Sequence, residues 1–242
     1  SLFKKKPVIL KKFYKNQKDE HDLIQANFKN LILHKNRISG IKEAEYCGYD
    51  MVILDDGFQD YRIKKNLNIV CFNSEQNIGN GFTIPSGPLR ENLKSLKYAQ
   101  IILINGSKNL EFEKKILKIN NKLNIFYSHY KPLNLEKLKG KKLLAFAAIG
   151  NPENFFKLIE KNNLLIEEKL FFPDHYIFKK NEIEKIVNKA KNKNLYMITT
   201  EKDYYKIKDF QNFKIDHLKV KLEINNKNEF IKKVKEFYVQ DN

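Results

Sequence analysis

The chain has 242 residues, 42% of them hydrophobic, with 46 Lys plus Arg against 29 Asp plus Glu and a net charge of +17. That length suits one large domain or two small ones, and this apolar content excludes wholesale disorder. No apolar run approaches the roughly 18 residues of a membrane-spanning helix, no secretory signal opens the chain, and two cysteines exclude a disulfide framework or a four-thiolate zinc site. In chain order, Pro7–Leu10, Leu31–Leu33, Met51–Leu54, Leu67–Phe72, Ile101–Ile104 and Leu123–Tyr127 read as strands. Lys142–Ala148, Leu165–Phe172, Leu195–Ile198 and Leu218–Ile224 follow. Several early runs are unbroken, as expected of strands covered on both faces; Leu165–Phe172 and Leu218–Ile224 alternate and read as edge or antiparallel strands. Helices are expected over Asp19–Asn27, Arg37–Tyr49, from Asn151-Pro152-Glu153 onward, Asn181–Lys193 and Asn228–Tyr238. Asn151 reads as the cap, with Pro152 at the first helical position.

Alternating strands and helices predict an α/β fold with a mostly parallel sheet. The Lys-rich stretch from Asn134 to Lys142 marks a boundary near residue 135, giving domains at 1–135 and 136–242, the second a smaller α/β domain. Cys47 and Cys71 sit in apolar stretches and are expected to be buried thiols in a reducing compartment. Only Arg37, Arg62 and Arg90 are arginine. The positive charge reads partly as drift toward Lys and partly as a surface for an anionic partner; a dedicated nucleic-acid binder would use more Arg. Residue 1 is Ser and the first Met is Met51, inside a strand, so the chain is expected to lack its N-terminus.

Chemistry concentrates in five segments. Met51-Val-Ile-Leu-Asp-Asp-Gly-Phe-Gln59 carries an apolar strand into two carboxylates and a glycine. Ligands of open α/β sheets bind beyond such strand ends, and an Asp there commonly holds Mg²⁺ on a nucleotide. Adjacent acids cannot both point one way, so one ligates and the other orients water or a neighbour, unless the pair is only a polar turn. Gly79-Asn-Gly81 followed by Ile84-Pro-Ser-Gly-Pro-Leu-Arg-Glu91 is a long Gly/Pro loop; Arg90 suggests a bidentate role and Glu91 a metal ligand, against a plain surface ion pair. Phe171-Phe-Pro-Asp-His-Tyr176 offers His175 beside Asp174 as a proton carrier. Lys18-Asp-Glu-His-Asp22 is an acidic helix start whose Asp19 needs a partner to act as a base. Ile198-Thr-Thr-Glu-Lys-Asp203 sets Thr200, Glu201, Lys202 and Asp203 either along a ligand crevice or in a strand-to-helix turn capped by Thr199 or Thr200. No G-x-x-x-x-G-K-[ST] occurs, so a phosphate cradle is expected upstream of Ser1.

The series DDGFQ, GNG-x-x-x-P-x-GPLRE, AF-x-x-IGNP-x-x-FF, F-x-DHY and TTEKD, in this order from about Asp19 to Tyr205, resembles the tetraacyldisaccharide 4'-kinase family of lipid A biosynthesis. That resemblance implies a P-loop-kinase-like α/β fold with a second, smaller domain. It implies a lipid kinase that moves the ATP γ-phosphate to the 4'-hydroxyl of a disaccharide 1-phosphate, with Mg²⁺, in lipopolysaccharide assembly. It further implies peripheral attachment at the cytoplasmic face of the bacterial inner membrane, a glycolipid substrate and no nucleic acid. On it, Asp55 and Asp56 match the acidic pair at metal and phosphates, with Gln59 beside them. Glu91 matches an acid implicated with the metal, Arg90 a residue expected near phosphate. Asp19 and His175 match a dyad that deprotonates the sugar hydroxyl, the His buried and orienting the Asp. As a fragment the chain is expected to be inactive alone. Two competitors are a non-catalytic basic α/β module that binds nucleic acid or membrane, and another P-loop nucleotide enzyme.

Overall fold

The computed structural model describes residues 5–15, 17–210 and 213–239. Its elements are β1 (Pro7–Lys12), α1 (Lys18–Asn27), β2 (Leu31–His34), α2 (Arg37–Tyr46), β3 (Met51–Leu54), β4 (Ile69–Asn73), β5 (Ile101–Asn105), α3 (Leu110–Leu117) and β6 (Asn124–Pro132). The chain continues through β7 (Lys142–Ala147), α4 (Pro152–Glu160), β8 (Leu165–Phe171), α5 (Lys180–Asn192), β9 (Tyr196–Thr200), α6 (Glu201–Ile207), β10 (Asp216–Leu218), β11 (Val220–Ile224) and α7 (Lys227–Val239). The strands form three sheets, ordered β2-β1-β3, β11-β6-β5-β4 and β10-β9-β7-β8. The pairs β1–β3, β4–β5, β5–β6, β7–β8, β7–β9 and β9–β10 are all parallel. The α/β class with mostly parallel strands is therefore as expected. Among the described residues no helix is long and apolar enough to cross a membrane.

The chain divides into two compact units. The first holds the described residues up to Lys12, then Ile32–Tyr130, and those from Leu222 on; the second holds Phe13–Leu31 and Lys131–Lys221. This differs from a single cut at residue 135 because the chain crosses between units at both ends. At the C-terminal end the cause is packing: Ile224, Phe230, Val234 and Phe237 lie against Ile101, Leu103 and Phe126 of the first unit. At the N-terminal end α1 is tied to α6 of the second unit through Lys202–Glu20 and Lys208–Asp22. The run Leu218–Ile224 is accordingly two strands. β10 pairs with β9, β11 lies beside β6, and Lys219 between them is held through its N–H and C=O by Asn134 and Leu133.

Each unit has its own core. In the second, alternate residues of β7 point to opposite faces. Leu143, Ala145 and Ala147 meet Phe156 and Ile159 of α4, while Leu144 and Phe146 meet Ile183 and Val187 of α5. Burying Phe146 and Phe156 contributes about 1.5–3 kcal/mol each. In the first unit β5 is buried along Ile101–Ile104, the unbroken apolar pattern of a strand covered on both faces. Pro152 opens α4 as expected, although the Asn151 side chain makes no capping hydrogen bond. Both cysteines are exposed rather than buried. Cys47 ends α2, and Cys71 lies on β4, an edge strand where Ile69 and Cys71 share the uncovered face.

Glu168 of β8 joins this strand to α5 by accepting from Lys189 (2.8 Å) and from Lys193. The two ammonium groups hold its carboxyl at about 2. A lowered folded value means the stabilisation is complete above the ordinary 4.5 and is lost as pH falls through about 2. Glu168→Gln is expected to lower the thermal midpoint modestly at pH 7, with the gap closing as pH drops through that window, measured by calorimetry across pH.

Candidate functional site

β3 is apolar and runs parallel to β1; Asp55 N–H continues the ladder by donating to Leu10 O at 3.0 Å. The chain then turns. Asp56 has φ of +56°, a left-handed conformation that short polar residues tolerate. Gly57 is required by space, since a Cβ there would lie 2.4 Å from Leu54 Cβ. The carbonyls of this turn are taken up by cations. Arg37 Nη2 donates to Asp55 O (3.0 Å) and Asp56 O (2.9 Å). Lys65 Nζ donates to the carbonyls of Gly57 (3.1 Å), Phe58 (3.2 Å) and Asp60 (2.8 Å), and burial pushes its pKa down. Asp60 is buried, accepts from Arg62 Nε and Nη2 at 2.8 Å each, and lies 3.8 Å from Arg37 Nη1. The Arg62 hydrogen bonds hold its carboxyl below the usual Asp value.

This frame leaves the two consecutive carboxylates outward and paired. Asp55 Oδ2 accepts from Lys11 Nζ of β1 at 2.6 Å, and Asp56 Oδ2 from Arg90 Nη1 at 2.7 Å. Arg90 and Glu91 are delivered by the Gly/Pro loop, which folds on itself. Asn80 Nδ2 donates to Ser86 O (2.7 Å), and a Cβ on Gly87 would lie 2.1 Å from Asn80 Oδ1 and 2.4 Å from Phe82 O. Glu91 Oε2 accepts from Tyr61 OH, which pushes the phenol up to about 12. Asp55, Asp56, Gln59, Arg90 and Glu91 line one cleft of about 1070 Å³ inside the first unit, between the edge strands β3 and β4. That volume is at the upper end for small-molecule sites.

Among the described residues no group of three or more His, Cys, Asp or Glu is set to hold a metal. Mg²⁺ does not require one: it takes one or two protein carboxylates and fills its octahedron with phosphate oxygens and water. Asp55, Asp56 and Glu91 offer hard oxygen donors of that kind, so the donor chemistry fits the ion. The arrangement can hold a polyphosphate: cations at Lys11 and Arg90 interleave with carboxylates suited to a bridging metal.

The second unit carries the remaining candidates. Asp19, in the first turn of α1, is buried, and among the described residues its Oδ2 has no hydrogen-bond partner. His175 has φ of +58° and is exposed rather than buried, because it sits in a turn outside the α5 packing. Its backbone N–H donates to Asp174 Oδ1 (2.9 Å), and its Nε2 lies 3.8 Å from Asp174 Oδ2. Among the described residues no hydrogen bond or ion pair joins His175 to Asp19. Thr200 is the N-cap of α6, accepting from Asp203 N–H at 3.1 Å, so this segment is a capped strand-to-helix turn. Asp203 is fully buried, with Oδ2 accepting from Ala148 N–H and Thr200 Oγ1 at 2.8 Å each and Oδ1 from Lys206 Nζ at 2.7 Å. It therefore faces no ligand crevice. Glu201 and Lys202 are half-buried, Lys202 against Glu20 at 2.9 Å.

Sequence reasoning missed Lys11, Arg37, Lys65 and Tyr61. Lysines carry no signal in so basic a chain, but arginine does: all three arginines act on Asp55–Asp60.

The family described as tetraacyldisaccharide-1-P 4'-kinase matches residues 10–238. The tetraacyldisaccharide 4'-kinase of Pelagibacter ubique (strain HTCC1062) is 39% identical over 231 residues, covering 93% of this chain and 72% of that protein. Those of Bartonella henselae and Rickettsia canadensis are 30% and 37% identical, covering 78% and 86% of this chain. The chain spans 59% and 66% of the length of these two relatives. The crystal structure of LpxK from Aquifex aeolicus, an "apo" form in complex with ATP, superposes with a TM-score of 0.69 at 21% identity, over 98% of this chain and 80% of that one.

Proposed function

The chain belongs to the tetraacyldisaccharide-1-P 4'-kinase family, and on that premise we propose that its protein moves the γ-phosphate of ATP to the 4'-hydroxyl of a tetraacyldisaccharide 1-phosphate in lipid A biosynthesis. The observation that carries this reading is the run of acids and cations at the end of β3, on a chain that matches the family from residue 10 to 238. Asp55 and Asp56, with Glu91, would hold Mg²⁺. The ion, when bound, neutralises charge on the β- and γ-phosphates. Arg90, now on Asp56, turns its guanidinium to phosphate oxygens, where a planar fork binds better than an ammonium. Lys11 keeps Asp55 oriented, and Arg37 and Lys65 keep the turn rigid so that the carboxylates need no reorganisation. In the second unit Asp19 accepts the proton of the acceptor hydroxyl. The hydroxyl oxygen forms the new O–P bond as the bond from the γ-phosphorus to the bridging oxygen breaks and ADP leaves. His175 is assigned to the same dyad.

The net charge of +17 supports a peripheral position on an anionic surface, which we place at the cytoplasmic face of the bacterial inner membrane. Acids at the strand end disfavour a nucleic-acid module, because without a metal they repel phosphate. The test is transfer from γ-labelled ATP by the complete gene product. Mg²⁺-dependent labelling of the tetraacyldisaccharide 1-phosphate is the expected result. Unlabelled glycolipid, together with Mg²⁺-independent and salt-sensitive binding of random duplex DNA, would overturn it in favour of a basic binding module. Transfer to another acceptor only would make the protein a different nucleotide enzyme.

A further inference from the structure

We propose that α6 is a bracket that sets the positions of the two segments bearing Asp19 and His175, with Lys202 and Asp203 as its positioning residues; this rests on the dyad reading above. A series of hydrogen bonds, ion pairs and one close approach within the second unit carries it. On one side of α6, Asp203 and Lys206 seize both polar groups of Ala148: its N–H donates to Asp203 Oδ2 at 2.8 Å, and its C=O accepts from Lys206 Nζ at 3.0 Å. Ala148 fixes the start of the loop that contains Gly150. Gly150 lies so close to Asp174 that a Cβ would stand 3.3 Å from Asp174 Oδ2. Asp174 Oδ1 in turn accepts from His175 N–H and supports the left-handed turn there. On its other side, α6 reaches α1 through Lys202 Nζ–Glu20 Oε1 at 2.9 Å, and its C-cap Lys208 through Lys208 Nζ–Asp22 Oδ2 at 2.6 Å. These acids follow the buried Asp19 by one and three positions in α1. Gln17, at the N-cap of α1, makes no side-chain capping bond, so the first turn of α1 is closed by backbone hydrogen bonds such as His21 N–H to Gln17 O (3.2 Å) without that added support.

Stability alone is a poor account of this network. A wholly buried carboxylate and its lysine are costly to desolvate, and a well-packed apolar pair of like volume is often as stable. What a fully satisfied polar network supplies is one geometry. A base displaced by about 1 Å loses about 10²-fold in rate, so an element that holds both segments acts on kcat without touching substrate.

The experiment is a charge swap in the complete gene product. Lys202→Glu and Glu20→Lys are each expected to lower kcat about 10- to 10²-fold, with KM for ATP within about twofold. The double swap is expected to recover most of the loss. Amide exchange over 18–27 should speed up in each single variant and slow again in the double. Should Lys202→Glu not fold, Glu20→Gln removes the same attraction, with the same direction expected in kcat and exchange. Single variants with unchanged kcat and unchanged exchange, or a double swap no better than either single, would overturn the bracket. Asp19→Asn, run in parallel, separates the two ideas. If it retains wild-type turnover, the dyad reading fails, and the exchange data alone then decide whether α6 holds α1.

Discussion

Asp19→Asn in the complete gene product is expected to lower kcat by about 10²- to 10⁴-fold, the range contributed by a positioned general base, while KM for ATP stays within about twofold. The substitution keeps shape and removes only the capacity to take a proton. Asp19 is 8% exposed, and among the described residues its Oδ2 has no partner, an arrangement with no evident structural return. Leaving a buried carboxylate oxygen unsatisfied costs free energy, which Asn would in part relieve. The folded state is therefore expected to be at least as stable in the variant, so the rate loss cannot be assigned to unfolding. The first turn of a helix is a favourable place for the negative charge that the base requires. Single-turnover kinetics with excess ATP, alongside a urea titration, measure both quantities. Near-wild-type turnover would remove Asp19 from the mechanism.

Asp19 is legible as a base only through the family resemblance, and of α6 only its capped start at Thr200 is legible, which shows where legibility ends. The strand before Asp55-Asp56-Gly57 could be read because an unbroken apolar run stopping at acids and glycine has few other meanings in an alternating α/β chain. β5 and β7 were legible for the same reason. α6 has only 7 residues, too short for a 3.6-residue period to emerge, and its role lies in contacts to residues 55 and more positions away. α3, with 8 residues, escaped likewise. The split between β10 and β11 was invisible because both halves alternate alike; only long-range packing of Phe230, Val234 and Phe237 pulls the second half into the other unit. Cys71 misled because an apolar neighbourhood in sequence does not say whether a strand ends up central or at an edge. The site was legible in its acids and Arg90, which carry their chemistry on their faces. Arg37 and Lys65 act only on backbone carbonyls, a function that has no residue pattern of its own.

Those carbonyl contacts depend on Asp60, which pairs with Arg62 and faces Arg37. Asp60→Ala is expected to destabilise the fold by about 3–5 kcal/mol, the cost of breaking a buried ion pair by removing one partner, a large share of a total near 5–15 kcal/mol. Asp60 is 9% exposed and faces both Arg62 and Arg37. Releasing Arg62 is cheap, since its side chain is 64% exposed and returns to water. Arg37 is 11% exposed and cannot; it would keep the carbonyls of Asp55 and Asp56, beside the half-buried ammonium of Lys65. Arg37 and Lys65 would then lose the buried carboxylate that stands between them, with Glu91 still acting on Lys65, and the two outward carboxylates would lose their fixed setting. Asp60→Asn retains an acceptor and should lose less. The pH dependence has a definite sign. Because Arg62 lowers the folded pKa of Asp60, its contribution is complete above 3.8 and is lost as pH falls through the lower folded value. Urea midpoints of wild type and Asp60→Ala should therefore differ most near neutral pH and converge in acid. Equal midpoints at pH 7 would show that the carbonyl bonds of Arg37 and Lys65 hold the turn without the Asp60 carboxylate.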